Sequence, residues 1–254
     1  MVLKRFLPFL TPACFWLGLE LANRFPGQML YWGLGALILA LVSLWWLHGV
    51  WLKEKHKDFK IFWSSSFLFL LGTFLTFIFL DRPIFRQILI FVSTFLLFLQ
   101  MYYACLFLRD KKEFYLGNLA VLNEIFPVLA FFLLAAGFSG WLIFLNKILW
   151  VFVVLVSLVA LETTYNLFYN AWGRDFSFAR LWVVAVVVGE MFWAIDFLPV
   201  GFLVKSLVLT ICWWLFSKIL IEFNQPQKKK IKIYVSTLVA FILIIIILLL
   251  ARWI

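Results

Sequence analysis

Residues 87–108 read QILIFVSTFLLFLQMYYACLFL, a stretch without a charged side chain that lies between Arg86 and Arg109. A hydrocarbon core about 30 Å thick is crossed by about 20 apolar residues of α-helix, so this stretch is long enough to span a bilayer. Inside lipid the backbone must satisfy its own hydrogen bonds, which a helix does within one segment. The stretch therefore predicts a transmembrane helix.

The composition of the whole chain agrees with that of this stretch. Of the 254 residues, 66% are hydrophobic and 13% are charged, whereas a soluble domain has about 25% charged residues because its surface faces water. Phe (32 residues) and Trp (14 residues) are abundant, and Trp favours membrane interfaces. A soluble fold would expose more apolar surface than soluble monomers tolerate. The composition predicts an all-α polytopic membrane protein and excludes a soluble globular domain.

Turn residues and clustered charges divide the chain into successive apolar stretches of transmembrane length. Asp81-Arg82-Pro83 and the lysine-rich segment 53–60 are two of the breaks. We expect one integral membrane domain, 1–254, that forms a transmembrane helical bundle of about nine spans, with eight as the alternative count. The predicted spans are 6–22, 29–52, 61–80, 87–108, 119–136, 141–161, 181–198, 202–222 and 233–252.

For four of these spans the sequence also predicts how the helix ends or what it faces. Pro199 and Gly201 separate spans seven and eight by only a few residues, which predicts a tight helical hairpin. The polar and aromatic stretch 162–172 should continue the sixth helix to near Gly173, because Tyr and Trp favour the headgroup depth. The last span, 233–252, is almost entirely aliphatic, which predicts a peripheral, lipid-facing anchor helix.

Gly137-Phe138-Ser139-Gly140 is expected to form the turn between spans five and six. The segment has the GxSG form that rhomboid proteases use around their nucleophile. Those enzymes need a histidine on a later helix, and here His48 and His56 both precede the motif. We therefore interpret the segment as a turn and not as a catalytic site.

The positive charges predict the orientation, because Lys and Arg concentrate in the short cytoplasmic loops of membrane proteins. With a cytoplasmic N-terminus, the outer segments hold Arg24, Arg82, Arg86 and Arg252. The inner segments then hold Lys4, Arg5, Lys53, Lys55, Lys57, Lys60, Arg109, Lys111, Lys112, Arg174, Arg180, Lys218, Lys228, Lys229, Lys230 and Lys232. We expect the N-terminus inside, a location in the cell membrane, and attraction of anionic lipid headgroups to the cytoplasmic face. The net charge of +10 is explained by this orientation, so we expect no nucleic-acid partner.

Charged groups within the predicted spans are candidates for function, because a charge in hydrocarbon costs at least a few kcal/mol. Glu190, near the middle of the seventh span, is the foremost candidate. It could carry protons, coordinate a cation or form a hydrogen bond between helices. Asp196 and Lys205 lie near the outer boundary on either side of the hairpin turn, and we expect an ion pair between them.

A second group of polar residues is predicted toward the cytoplasmic leaflet. Asn123 and Glu124 precede Pro127, which leaves the carbonyl group near residue 123 without its helical donor. Gln100 should lie at a similar depth in the fourth span, and Glu162 lies at the inner end of the sixth. These side chains could together line a cavity that opens to the cytoplasm.

No motif in the sequence indicates a metal, a cofactor or a catalytic set. Cys14, Cys105 and Cys212 lie in three different apolar stretches and form neither a CxxC pair nor a zinc spacing. With only two histidines, a histidine-based metal centre is not expected. The sequence also lacks a P-loop and an HExxH motif. We expect no cofactor and, on balance, no enzymatic activity.

Three classes of function follow from these observations. A non-catalytic membrane subunit or scaffold that binds a protein partner ranks first, because the helices are apolar and aromatic and lack a catalytic set. A small-solute or ion-coupled transporter that uses Glu190 is the alternative, although polar residues to line a pathway are scarce. A lipid-modifying enzyme with Glu124 and Glu162 as acid and base ranks third.

Overall fold

The computed structural model describes residues 3–52, 59–110, 113–145, 149–172, 176–223 and 230–251. In these residues nine α-helices and one short 3-10 helix, Pro26–Gln28, account for the regular structure. The α-helices are Leu3–Arg24 (α1), Met29–Leu52 (α2), Phe59–Phe79 (α3), Pro83–Asp110 (α4), Glu113–Leu145 (α5), Leu149–Trp172 (α6), Phe178–Asp196 (α7), Phe202–Phe223 (α8) and Lys230–Leu250 (α9).

Seven helical segments of the described chain are long and apolar enough to cross a membrane. They are Pro26–Trp45, Phe62–Phe79, Pro83–Phe107, Gly117–Phe144, Leu149–Ala171, Phe178–Asp196 and Phe202–Glu222. In α9 the apolar segment Thr237–Leu250 is shorter. The all-α fold class is thus confirmed, and the chain is a polytopic helical membrane protein. The count of nine spans stays a prediction.

The hairpin and the end of the sixth helix agree with the sequence. α7 ends at Asp196 and α8 begins at Phe202, so a short turn joins the two helices as predicted. α6 continues through the polar and aromatic stretch to Trp172, next to the predicted end at Gly173.

The predicted turn at Gly137-Phe138-Ser139-Gly140 is wrong, because α5 runs without a break through these residues. Glycine inside a helix costs about 1 kcal/mol relative to alanine, which favours a turn when the segment is considered alone. Here all four residues are buried, and small residues allow neighbouring helices in a membrane to approach closely. Burial of this segment therefore outweighs its local preference for a turn. α5 ends at Leu145 and α6 begins at Leu149, and residues 146–148 lie outside the described residues.

The chain divides into two compact units, Met1–Phe126 and Pro127–Ile254. In the first unit, α1 packs most extensively against α2 and also against α4, while α3 packs against α2 and α4. An added Cβ atom on Gly18 would come closer than 3.0 Å to Ala36, so the absence of a side chain permits this approach of α1 to α2. The core of the unit includes the fully buried side chains Phe15, Leu19, Phe77 and Leu97.

In the second unit, α6 packs most extensively against α7, and α8 contacts α6, α7 and α9. Trp213 of α8 is fully buried. Its ring stacks on Phe131 with the centroids 4.4 Å apart, and its Nε1 atom donates a 2.8 Å hydrogen bond to Oγ1 of Thr164. This contact joins α8 to α6 through a polar group that would otherwise be buried without a partner.

Candidate functional site

Glu190 lies in the second half of α7, three residues, or about 4.5 Å along the axis, from the middle of the helix. Its side chain is exposed. In the part of the chain that the structure describes, its carboxyl group has neither a hydrogen-bond donor nor an ion-pair partner. The Glu190 carboxyl group therefore lies away from both ends of α7, on the surface of a helix that is long and apolar enough to cross a membrane.

The residues on the same face of α7 are apolar. Trp182, Val186, Trp193 and Phe197 are all exposed, and with Glu190 they follow the spacing of three and four residues that places side chains on one helical face. We call this set of five residues the α7 stripe. Glu190 is its single acidic residue, with Val186 one turn before it and Trp193 one turn after it.

α7 is fixed against α6 at the level of Glu190 by the residue that precedes the acid. Gly189 is buried, and an added Cβ atom there would come closer than 3.0 Å to Oγ of Ser157. That hydroxyl group donates a 2.8 Å hydrogen bond to the Val153 carbonyl oxygen of its own helix. Farther along the pair, the rings of Trp150 and Trp193 stack with their centroids 6.1 Å apart. Gly189 and Glu190 are about 100° apart around the helix axis, so the side chain of Glu190 stays exposed beside the contact with α6, and Trp193 of the α7 stripe lies at the margin of that contact.

Asp196 and Lys205 form an ion pair across the hairpin turn. The Lys205 Nζ atom lies 3.1 Å from Oδ1 of Asp196 and also donates a 2.6 Å hydrogen bond to the Asp196 carbonyl oxygen. Both side chains are largely buried, with 9% and 16% of their surface exposed for Lys205 and Asp196. Two bonds to one residue fix the start of α8 relative to the end of α7, which is a structural arrangement.

The predicted polar residues toward the cytoplasmic side lie in different environments. Gln100 is fully buried in α4 and Asn123 is almost fully buried in α5. Glu124, the next residue, is exposed, and Glu162 in α6 is half-buried. The structure joins Gln100 to Ser66 of α3, whose hydroxyl group donates a 2.9 Å hydrogen bond to Oε1 of the amide. A cavity lined by the four predicted residues stays a prediction.

Three polar contacts of the first unit were not predicted from the sequence. Ser66 is one of three consecutive serines in α3, and such a run in an apolar helix is the signal that could have indicated a buried polar contact. Glu20 precedes Arg24 by four residues, a spacing at which opposite charges meet on a helix. Glu20 accepts a 3.2 Å bond from Arg24 Nε and a 3.0 Å bond from the Gln87 amide. The second bond joins α1 to α4.

The three cysteines are free and partly buried. Among the described residues, no group of three or more His, Cys, Asp or Glu side chains is placed to hold a metal ion.

No protein family, no curated protein and no solved structure matches this chain. Its function is therefore argued from its own residues.

Proposed function

We propose that this chain is a non-catalytic membrane subunit whose α7 stripe binds a transmembrane helix of a partner protein. The observation that carries the proposal is the exposure of Glu190 in the second half of an apolar helix, without a partner for its carboxyl group among the described residues. The partner helix would supply a hydrogen-bond donor or a cation at the depth of Glu190, from a Lys, Arg, Asn, Gln, Ser or Thr side chain.

The energetic argument rests on what surrounds the carboxyl group. Acyl chains offer no hydrogen-bond donor, and a carboxyl group exposed to them costs several kcal/mol. A polar side chain on a neighbouring helix lowers that cost, and measured bonds between membrane helices contribute about 0.6–2 kcal/mol each. Trp182 and Trp193 flank Glu190 at a distance of one to two turns and add broad apolar contact surface. A helix that binds the α7 stripe would thus bury aromatic surface and give the Glu190 carboxyl group a hydrogen-bond donor or a cation.

The surroundings of Glu190 favour a subunit over a transporter. A carrier needs polar groups that accompany its acid along a pathway. The neighbours of Glu190 on its own face are Val186 and Trp193, which cannot solvate an ion. A lipid-modifying enzyme would need Glu124 and Glu162 to converge on one substrate. Glu124 is exposed in α5 and Glu162 is half-buried in α6, and no catalytic motif surrounds either residue.

We further propose that the protein lies in the cell membrane with its N-terminus in the cytoplasm and crosses the membrane nine times. The excess of Lys and Arg in the inner segments supports this orientation.

Single-cysteine variants would test this orientation after the three native cysteines are replaced by alanine. An added Cβ atom on Gly27 or Gly117 meets no other atom within 4 Å, so both sites tolerate the change. In intact cells, a membrane-impermeant maleimide should label Gly27→Cys, and it should label Gly117→Cys only after permeabilisation.

Site-specific photo-crosslinking in native membranes tests the proposed function. A benzophenone amino acid at Val186 would sit one turn from Glu190 on the α7 stripe. Phe91 of α4 is a matched control, because it is also an apolar residue of a membrane-spanning helix and is 69% exposed. We expect a discrete protein adduct at position 186 and none at position 91.

Variants of Glu190 make the crosslinking test decisive. Glu190→Gln keeps a hydrogen-bonding group and should retain the adduct, whereas Glu190→Leu should reduce it about tenfold or more, in line with a loss of at least 1.4 kcal/mol. Equal adducts at positions 186 and 91, or an adduct that does not depend on Glu190, would contradict the proposal. A solute or proton flux in liposomes that Glu190→Gln abolishes would instead support the transporter.

A further inference from the structure

A groove of about 600 Å³ runs between α1 and α2 in the first unit. It begins near the turn that joins the two helices, at Gln28, and extends along α2 to Leu39. Residues that line it include Cys14, Gly18 and Leu21 of α1 and Trp32, Gly35 and Leu39 of α2. Its middle is wide because Gly35 has no side chain, and an added Cβ atom there would meet no other atom within 4 Å.

The two ends of the groove differ in polarity. At the turn end, the Gln28 amide accepts a 3.2 Å hydrogen bond from Nε1 of Trp32, and Tyr31 presents a side chain that is 80% exposed. Toward the middle of the helices, Cys14 and Leu39 provide only apolar surface. A molecule with a polar head and a long apolar chain matches this gradient.

Arg24 supplies a positive charge at the polar end. It lies one turn after Leu21 on α1, so it continues the row of residues that lines the groove. Its side chain is 70% exposed, and its Nε atom bonds Glu20. Gln87 occupies the other oxygen of Glu20. Within the described residues the two Nη groups of Arg24 have no further partner, so they can bind an anion such as a phosphate.

The dimensions of the groove distinguish a lipid chain from a helix. Eleven residues separate Gln28 from Leu39, which corresponds to about 16 Å along the axis of α2. A volume of about 600 Å³ over that length gives a mean cross-section of about 37 Å². A helix about 10 Å wide has a cross-section of about 80 Å², so the groove is too narrow to enclose one. An extended acyl chain is much thinner, and the exposed Tyr31 and Leu39 leave the groove accessible from the bilayer.

We propose that the α1–α2 groove binds an anionic phospholipid, with one acyl chain along Gly35 and the phosphate at Arg24. The lipid comes from the surrounding bilayer, and the bound chain covers apolar surface between two helices that touch at Gly18 and Ala36. This inference concerns the first unit and does not depend on the role of Glu190.

Native mass spectrometry of the purified full-length protein tests the inference. The protein is delipidated in detergent and then titrated with either dioleoylphosphatidylglycerol or dioleoylphosphatidylcholine. We expect one phosphatidylglycerol to bind more tightly than any further lipid, and more tightly than phosphatidylcholine. Gly35→Leu places a side chain in the groove, at a position where an added Cβ atom meets no other atom within 4 Å, and should weaken that binding about tenfold or more.

Two further variants distinguish a loss of lipid binding at the groove from a general effect of the substitution on the protein. Gly117→Leu is the matched control, because Gly117 also has open space around an added Cβ atom and lies in α5. It should leave lipid binding unchanged. Arg24→Gln should retain one bound lipid but lose the preference for phosphatidylglycerol. The inference is overturned if Gly35→Leu binds the lipid as well as the unaltered protein does, if the two lipids bind equally, or if Gly35→Leu changes only the oligomeric state, which would assign the groove to a second copy of the chain.

Discussion

Gly189 of α7 lies against Ser157 of α6 so closely that a methyl group in place of its hydrogen would overlap the serine hydroxyl oxygen. The next residue in the chain is Glu190. This close approach fixes α7 against α6 directly beside the acid, and Glu190, about 100° farther around the helix axis, keeps an exposed side chain. Changes at this contact should affect both stability and the proposed partner interaction.

Gly189→Ala should destabilise the protein although alanine is the better helix former. Alanine gains about 1 kcal/mol in helix propensity, but overpacking in a filled contact typically costs about 1–3 kcal/mol. The overlap involves Oγ of Ser157, whereas the Cβ atom of Ser157 lies at 3.6 Å, an ordinary contact distance. Gly189→Ala/Ser157→Ala should thus recover most of the stability. Thermal unfolding of the four proteins of this double-mutant cycle in detergent measures the coupling.

The same substitution at Gly18 should not be rescued in this way. An alanine at Gly18 would overlap the Cβ atom of Ala36, and the Ala36 Cα atom at 3.1 Å and the Trp32 carbonyl oxygen at 3.2 Å are also close. Ala36→Gly removes only the first of these contacts. We expect Gly18→Ala to lower the unfolding temperature and Gly18→Ala/Ala36→Gly to stay below the unaltered protein. Full recovery in the double variant would show that the backbones of α1 and α2 can move apart at little cost.

The ion pair of Asp196 and Lys205 should behave as a largely buried pair. Among the described residues, Asp196→Leu leaves the buried Lys205 ammonium group with the residue 196 carbonyl oxygen as its only partner. Loss of one member of such a pair typically costs about 3–5 kcal/mol. Asp196→Leu/Lys205→Met removes both charges and should regain most of that loss. The free energy of unfolding in a denaturing detergent titration checks this order. A double variant no more stable than Asp196→Leu would mean that packing, and not charge, fixes the hairpin.

The sequence predicted the helices well because each break contains a turn or charge signal with a local cause. Pro199 and Gly201 both disfavour a continuous helix, and the α7–α8 hairpin is consistent with that preference. The α5 segment at Gly137 has similar local signals but continues as a helix, because burial among neighbouring residues overrides them. Such burial depends on residues distant in the chain, which a local pattern does not contain.

The direction in which Glu190 points was beyond sequence reasoning for a different physical reason. In a soluble helix, alternating polar and apolar faces show which side is buried. In α7 the exposed Val186 and the buried Val188 are equally apolar, because a side chain that faces lipid and one that faces the protein core are both expected to be apolar. The contact of Gln100 with Ser66 could not be predicted either, because no sequence pattern near these residues indicates that α3 and α4 meet there.

Thr164→Val should destabilise the second unit although valine has nearly the same shape as threonine. The substitution removes the acceptor of the hydrogen bond from Trp213 Nε1, and Trp213 is fully buried. A buried donor without a partner costs about 1–3 kcal/mol. Thr163→Val is a suitable control, because that hydroxyl group bonds only carbonyl oxygens of its own helix. A shift in tryptophan fluorescence together with a lower unfolding temperature in Thr164→Val alone would agree with this role, and equal effects of both variants would contradict it.

Ser66→Ala should be more destabilising than Gln100→Leu, although serine is the smaller residue. Ser66 Oγ is the hydrogen-bond donor to the Gln100 oxygen, and the Gln100 amide nitrogen has no partner among the described residues. Without the serine hydroxyl group, the whole amide is buried and unsatisfied, at a cost of about 1–3 kcal/mol. Gln100→Leu removes that amide, and Ser66 keeps its 2.6 Å bond to the Phe62 carbonyl oxygen, so stability should stay equal or rise.

The double variant Ser66→Ala/Gln100→Leu completes the test of this contact. It should unfold at nearly the same temperature as Gln100→Leu, because serine has no role toward residue 100 once the amide is gone. If Gln100→Leu proves the most destabilising of the three variants, the amide nitrogen must have a donor–acceptor contact beyond the described residues. Gln100 would then become a candidate binding residue of the first unit, and the order of the three unfolding temperatures decides between these two roles.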